Sequence, residues 1–265
     1  MAVFRWSLFG EKKASLVELL RHSVGTFRQY FGGSSHYVVC TDDPAEVRRL
    51  LPDSIELIDI GRMPVAVEGN CRLQWRKWDP AVRLFPGETE VYIDCDIFIV
   101  GDAFELKSFC DDARGDGVMA LAESVPSPRL FGMFKDRVPS AMPAINSGLV
   151  VQQPHANFTD SFELQRRWWL TRIEADPELA RVPHYEQGAV AAALGPYFTA
   201  GKLGTLPVER YKMISPRSNP HLTNLDGVAL IHTTFRTHPG FRWFHDEIVA
   251  KSDYKEPLSV ERRAD

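Results

Sequence analysis

Two aspartates, Asp94 and Asp96, interrupt the most apolar stretch of the chain, Val91-Tyr92-Ile93-Asp94-Cys95-Asp96-Ile97-Phe98-Ile99-Val100. Residues two apart on a strand project from the same face, so the two carboxylates can converge. Like charges in a poorly solvated place repel, and at least one takes up a proton unless a cation lies between them. A divalent ion removes that conflict, and oxygen donors suit Mg²⁺ or Mn²⁺. The plainer alternative ends the strand at Ile93 and makes the aspartates turn residues. Against it, the apolar pattern resumes at once at Ile97.

The elements that must position this pair follow from the period of the hydrophobic residues. Ala2–Phe9 is expected to be a strand stopped by Gly10, and Ser15–Phe31 a helix with Leu16, Leu19, Leu20, Val24, Phe27 and Phe31 on one side. His36–Cys40 and Ile55–Ile60 are expected strands, separated by a helix over Ala45–Leu51 with Pro44 in its first turn. Asn70–Phe85 carries a helical pattern, kinked or restarted at Pro80, and Glu90–Val100 is expected to be one strand. Further on come a helix over Ala103–Cys110, strands over Val118–Ala122, Asn146–Val151 and Val228–Thr233, and helices over Thr159–Glu174 and Tyr185–Leu194. Ser124–Pro143 holds four prolines and no period, so it reads as a long functional loop. Strands alternating with helices predict an α/β fold, a largely parallel central sheet flanked by helices. No repeat or linker divides the chain, so residues 1–252 are expected to form a single domain, with a frayed tail over 253–265.

Composition narrows the class of function. The 265 residues are 44% apolar and 25% charged, as in ordinary globular proteins, which excludes collagen-like, coiled-coil and disordered classes. With 31 Lys+Arg against 35 Asp+Glu the net charge is -4, which argues against a nucleic-acid partner. No apolar run is long enough for a membrane span, and Met1–Phe9 lacks the core of a secretion signal, so a cytoplasmic location is expected. The cysteines, Cys40, Cys71, Cys95 and Cys110, form no CxxC pair and read as free thiols in a reducing compartment.

Two enzyme classes use an Asp-x-Asp at the end of an apolar strand. Haloacid-dehalogenase-type phosphatases usually follow it two residues later with Thr or Val, where this chain has Phe98, and Asp116 is close to the pair and runs straight into a strand. The chain resembles the second class much more. The text WRKWDPAVRLFPGETEVYIDCDIFIVGD, then AINSGLVV, HYEQGAVAAAL and VALIHTTFRTHPGFRW, is similar in content and order to the nucleotide-sugar glycosyltransferases of the GT-A fold. The resemblance is to the glycogenin-like and lipopolysaccharide-galactosyltransferase-like retaining family.

That resemblance implies a single GT-A (Rossmann-like) domain, a UDP- or GDP-type nucleotide-diphosphate sugar donor, and a sugar, lipid or protein hydroxyl as acceptor. It implies Asp96 as a direct ligand of Mn²⁺ or Mg²⁺, Asp94 sharing the metal or holding the ribose, and His232 as the third ligand. Lys77 and, more loosely, Arg236 would neutralise the diphosphate; Arg72 and Arg76 make the neighbourhood of Lys77 basic. Asn146, Ser147 and Gly148 would line the sugar pocket, and Glu186 and Gln187 would meet the transferred sugar at its reacting face. Were the reaction inverting instead, Glu186 is the carboxylate that would serve as base.

Two positions depart from the family pattern. Gly188 stands where a third acidic residue is usual, and Gly10-Glu11-Lys12 follows the first strand where the family has an Asp near the base. Asp42 and Asp43 could compensate for the latter or could simply cap a helix. Arg129, Phe131, Phe134 and Lys135 make the Pro-rich loop a candidate lid on the acceptor side, while Trp75/Trp78 and Trp168/Trp169 are expected to be core. A DxD phosphatase, a nucleotidyltransferase and a non-catalytic nucleotide-sugar-binding protein are the alternatives.

Overall fold

The first strand, β1 (Ala2–Leu8), is buried along nearly its whole length because it lies at the centre of a sheet covered on both faces. A computed structural model describes residues 1–10, 14–61, 75–124, 128–181, 185–214 and 224–233. Helix α1 (Ala14–Phe31) covers one face, setting Phe27 against Phe4 and edge-on to Trp6. On either side of β1 run β2 (His36–Thr41) and β4 (Thr89–Ile93), both parallel to it. Beyond β2 lies β3 (Glu56–Asp59), reached through the short helix α2 (Pro44–Arg48). Asp43 caps α2 by accepting from the Glu46 N–H, and Asp42 Oδ2 accepts from the Gly10 N–H at 2.8 Å.

The sheet continues past β4 through β7 (Ile145–Gln152), β6 (Val118–Ala122) and β8 (Leu203–Leu206). Its order is β3-β2-β1-β4-β7-β6-β8, parallel except where β7 runs against β4 and β6. Helices α4 (Phe158–Ala175) and α5 (Tyr185–Thr199) cover the second face, over a core that includes Trp78, Tyr92, Phe158, Phe162, Trp169 and the run Ala189–Leu194. Helix α3 (Phe104–Asp111) precedes β6 in the chain. The expected α/β architecture with a mostly parallel sheet is therefore the observed one.

A second, three-stranded sheet was not anticipated. It consists of β5 (Ile97–Ile99), β10 (Leu230–Thr233) and β9 (Tyr211–Ile214), in the order β5-β10-β9. The apolar run Glu90–Val100 is thus two strands in two sheets, not one. Helix α1 fixes the second piece: Ser23 Oγ donates to the Ile97 carbonyl at 2.6 Å and Thr26 Oγ1 accepts from the Ile99 N–H at 3.2 Å. The short β8 and β9 lack a recognisable apolar run, and tertiary pairing alone makes them strands.

Two local expectations are corrected. Of the helix expected over residues 70–85, Arg76–Trp78 forms a single 3-10 turn, and Asp79 is already extended, as a residue before proline tends to be. Residues 62–74, including Cys71 and Arg72, lie outside the described residues. The Pro-rich segment is not shapeless: Pro128–Arg137 forms 3-10 helix with a kink at Gly132 and packs along α5. Phe134 is fully buried against Trp168 and Trp169, so it belongs to the core and not to a lid face. Trp75 and Trp78 are core as expected. The tail over 253–265 lies outside the described residues, and among those described no helix is long and apolar enough to cross a membrane.

Candidate metal centre

The site is built where β4 stops. Ile93 pairs with Leu149 of β7, and the Asp94 N–H donates to the Gly148 carbonyl at 2.8 Å. The chain then turns, the Ile97 N–H reaching back to the Asp94 carbonyl at 3.2 Å, and enters the second sheet as β5. There β10 runs antiparallel with His232 opposite Ile97, and the Thr233 N–H donates to the Asp96 carbonyl at 3.0 Å. This register delivers the His232 ring to the two carboxylates. Its Nε2 lies 3.3 Å from Asp96 Oδ1 and 3.8 Å from Asp94 Oδ2, and one donor atom from each of the three residues falls within 4.8 Å of the others. The aspartates are turn residues after all, and they converge because a turn and a strand from the other sheet bring them together, not because a strand alternates.

Glycine 148 makes room for the imidazole. A Cβ at that position would sit 2.5 Å from His232 Cε1 and 2.9 Å from Nδ1, distances no real Cβ tolerates. Asn146 folds over the same point: its Oδ1 accepts from the Gly148 N–H at 2.8 Å while its amide donates to Glu123 Oε2 at 3.2 Å. Glu123 is a member of this neighbourhood that the sequence analysis did not single out, an acid just past the end of β6.

Lys77 enters from the 3-10 turn. Ser7 of β1 donates to its carbonyl at 2.7 Å, and Arg5 two residues earlier holds the carbonyls of Trp78, Pro80 and Val82. The Lys77 ammonium lies 2.7 Å from Asp94 Oδ1 and 3.6 Å from Glu186 Oε1, and donates to the Ser147 carbonyl at 2.7 Å. Glu186, in the first turn of α5, accepts from Trp78 Nε1 at 2.6 Å through Oε1 and from Ser147 Oγ at 2.8 Å through Oε2. Both its oxygens are engaged, an arrangement that suits a structural bridge better than a base. Gln187 follows, with its Nε2 buried and unpartnered among the described residues. Arg236 lies outside the described residues. Asp116 lies apart in the turn before β6, paired with Lys202 at 2.5 Å.

The charges of the site are strongly interdependent. Burial pushes the Asp94 carboxyl above the usual range, Lys77 opposes that, and Asp96 reinforces it. Burial works against the charged form of His232, yet the Asp96 and Asp94 carboxylates outweigh it and the imidazole holds its proton more tightly than usual. Lys77 behaves alike: burial disfavours its charge, and Asp94 and Glu186 more than restore it. Lys77 and His232 are thus the positive partners that face the two carboxylates. Two carboxylates and an imidazole are a donor set for Mn²⁺ or Mg²⁺. The Gly148 cradle and the buried Nδ1 of His232, unpartnered among the described residues, leave Nε2 as the nitrogen that faces the carboxylates. The residues fit such an ion.

Comparison with known proteins gives relatives by shape only. No family model and no curated protein matches the sequence. Among solved structures, the chain is similar to the galactosyltransferase LgtC in complex with donor and acceptor sugar analogues, with a TM-score of 0.58 at 13% identity over 98% of this chain and 97% of that one. It is similar to mouse xyloside xylosyltransferase 1, with a TM-score of 0.55 at 12% identity over 89% of this chain and 98% of that one. A glycosyltransferase that acts in glycosylation of the PBCV-1 major capsid gives a TM-score of 0.50 at 14% identity, over 94% and 100%. The chain has the GT-A fold.

Proposed function

We propose that this protein is a divalent-metal-dependent glycosyltransferase that moves a sugar from a nucleoside-diphosphate sugar to an acceptor hydroxyl. One observation carries the proposal: Asp94 and Asp96, from the turn that joins the two sheets, and His232, from a strand of the second, meet with their donor atoms within 4.8 Å of one another. They do so at the carboxyl end of a central strand, where open α/β sheets bind their ligands. The complex of LgtC with donor and acceptor sugar analogues agrees in kind.

Asp94, Asp96 and His232 would hold Mn²⁺ or Mg²⁺, which supplies positive charge to the diphosphate that leaves as the glycosyl bond breaks. Ser147 and Gly148 lie in the first half of β7 beside the end of β4, where the Gly148 carbonyl accepts from the Asp94 N–H, and Asn146 is oriented by Glu123 on one side and Gly148 on the other. Lys77 holds Asp94 and steadies Glu186, so the groups facing the developing charge are in place before the reaction and need not reorganise. Glu186 has both oxygens occupied, so it does not stand ready to deprotonate the acceptor, which supports retention of configuration over inversion. Gln187, whose buried Nε2 has no partner among the described residues, is the side chain of that turn whose amide would donate to a sugar hydroxyl. Free thiols at Cys40, Cys95 and Cys110 support a reducing compartment such as the cytoplasm.

Calorimetric titration with UDP and with GDP, each with and without Mn²⁺, tests the proposal and chooses the base. Metal-dependent binding of one nucleotide is expected, and binding of neither would reject it. The conservative change Asp96→Asn removes one ligand charge with little change of shape. It should lower transfer by roughly a hundredfold or more while the fold persists.

A further inference from the structure

An ammonium has three N–H donors, and those of Lys77 face three acceptors: Asp94 Oδ1 at 2.7 Å, the Ser147 carbonyl at 2.7 Å and Glu186 Oε1 at 3.6 Å. The side chain is only 16% exposed. Two of these are hydrogen-bonding contacts, to Asp94 and to Ser147, while Glu186 lies just beyond hydrogen-bond distance as an ion-pair partner. The Asp94 carboxylate is thereby divided, with Oδ1 held by Lys77 and Oδ2 turned towards His232 Nε2 at 3.8 Å. A positive charge thus already occupies half of a carboxylate in the candidate metal site.

Taking the Asp94–Asp96–His232 cluster as a divalent-cation site, we propose that Lys77 is its resident counter-ion and holds down its affinity for the free cation. The ammonium repels a second positive charge placed beside Asp94, and in a half-buried setting that repulsion is only weakly screened. A diphosphate bound alongside brings negative charge that cancels it. The site then loads its metal together with the nucleotide rather than from solution, and an empty enzyme does not hoard metal. Glu186 acts in the opposite sense, because its carboxylate beside Lys77 offsets part of the ammonium's charge.

The opposite signs give the test. Mn²⁺ binding to the full-length protein is followed by electron paramagnetic resonance, without nucleotide and then with uridine or guanosine diphosphate. Lys77→Met should tighten nucleotide-free Mn²⁺ binding by roughly tenfold and shrink the factor by which nucleotide tightens it. Lys77→Gln keeps hydrogen-bond donors without the charge and should behave alike, which separates charge from positioning. Glu186→Gln should weaken nucleotide-free binding by roughly threefold or more. Circular dichroism checks that each variant is folded. If both neutral replacements of Lys77 leave Mn²⁺ affinity unchanged or lower it, Lys77 merely orients Asp94 and the counter-ion proposal is overturned. If the unmodified protein takes up Mn²⁺ under no condition, the metal site itself is wrong, a result distinguishable from the first.

Discussion

At the scale of single residues, the site depends on small side chains as much as on charged ones. Gly148 is held in a strand with its Cα hydrogens against the His232 ring, and the next atom a substitution adds has nowhere to go. Gly148→Ala should therefore displace the imidazole, costing about 1–3 kcal/mol of stability by overpacking and weakening Mn²⁺ binding by roughly tenfold or more. Chemical denaturation and a metal titration on the same preparation check both, and an unaltered metal affinity would show that the ring is not held by this contact. The Asp94–Lys77–Glu186 chain shows the complementary principle. Lys77 is the cation within 4 Å of both carboxylates, so removing it takes away the positive partner that Asp94 and Glu186 share.

At the scale of elements, the closest supports are the ones the chain pattern conceals. The 3-10 segment Pro128–Arg137 lies along α5 so tightly that a Cβ at Gly188 would come within 2.3 Å of the Phe131 carbonyl oxygen. The acidic residue usual in the resembling family cannot be accommodated at position 188 with this packing. Gly188→Ala should cost about 1–3 kcal/mol and lower the melting temperature, because backbone and not a flexible side chain would have to move. A melting temperature equal to that of the unmodified protein would mean that the segment docks loosely. The neighbouring residues Glu186 and Gln187 belong to the same first turn, so transfer activity should fall with stability in this variant, more through kcat than through substrate affinity.

At the scale of the whole molecule, the centre joins two sheets. Asp94 hangs from the seven-stranded sheet, while Asp96 is tied by its carbonyl to β10 and His232 lies within β10 of the three-stranded sheet. A metal and a diphosphate at the junction would therefore brace the two sheets against each other. With Mn²⁺ and the preferred nucleotide each at about a hundred times its dissociation constant, the melting temperature should rise by about 5–10 °C, and a chelator should abolish the gain. Nucleotide alone producing the full shift would exclude a metal from the complex.

Much of this was legible in the sequence, for identifiable reasons. The periods of Ala2–Leu8, Ala14–Phe31 and Val118–Ala122 are local properties of the chain, and they determined the α/β class. The rarity of two acids inside Val91–Val100 marked the metal candidates, because charge in apolar surroundings needs a reason that composition alone reveals. Only the tertiary structure decided that the run is two strands, that Lys77 already bonds Asp94, that Glu186 is tied to Trp78 and Ser147, and that Gly148 makes room for a histidine ring. The two bonds of Glu186 alone join residues 39 and 108 positions apart, and a hydrophobic period reports only which face of its own element a residue occupies. What that face meets is set by strand order and register, which the chain acquires on folding.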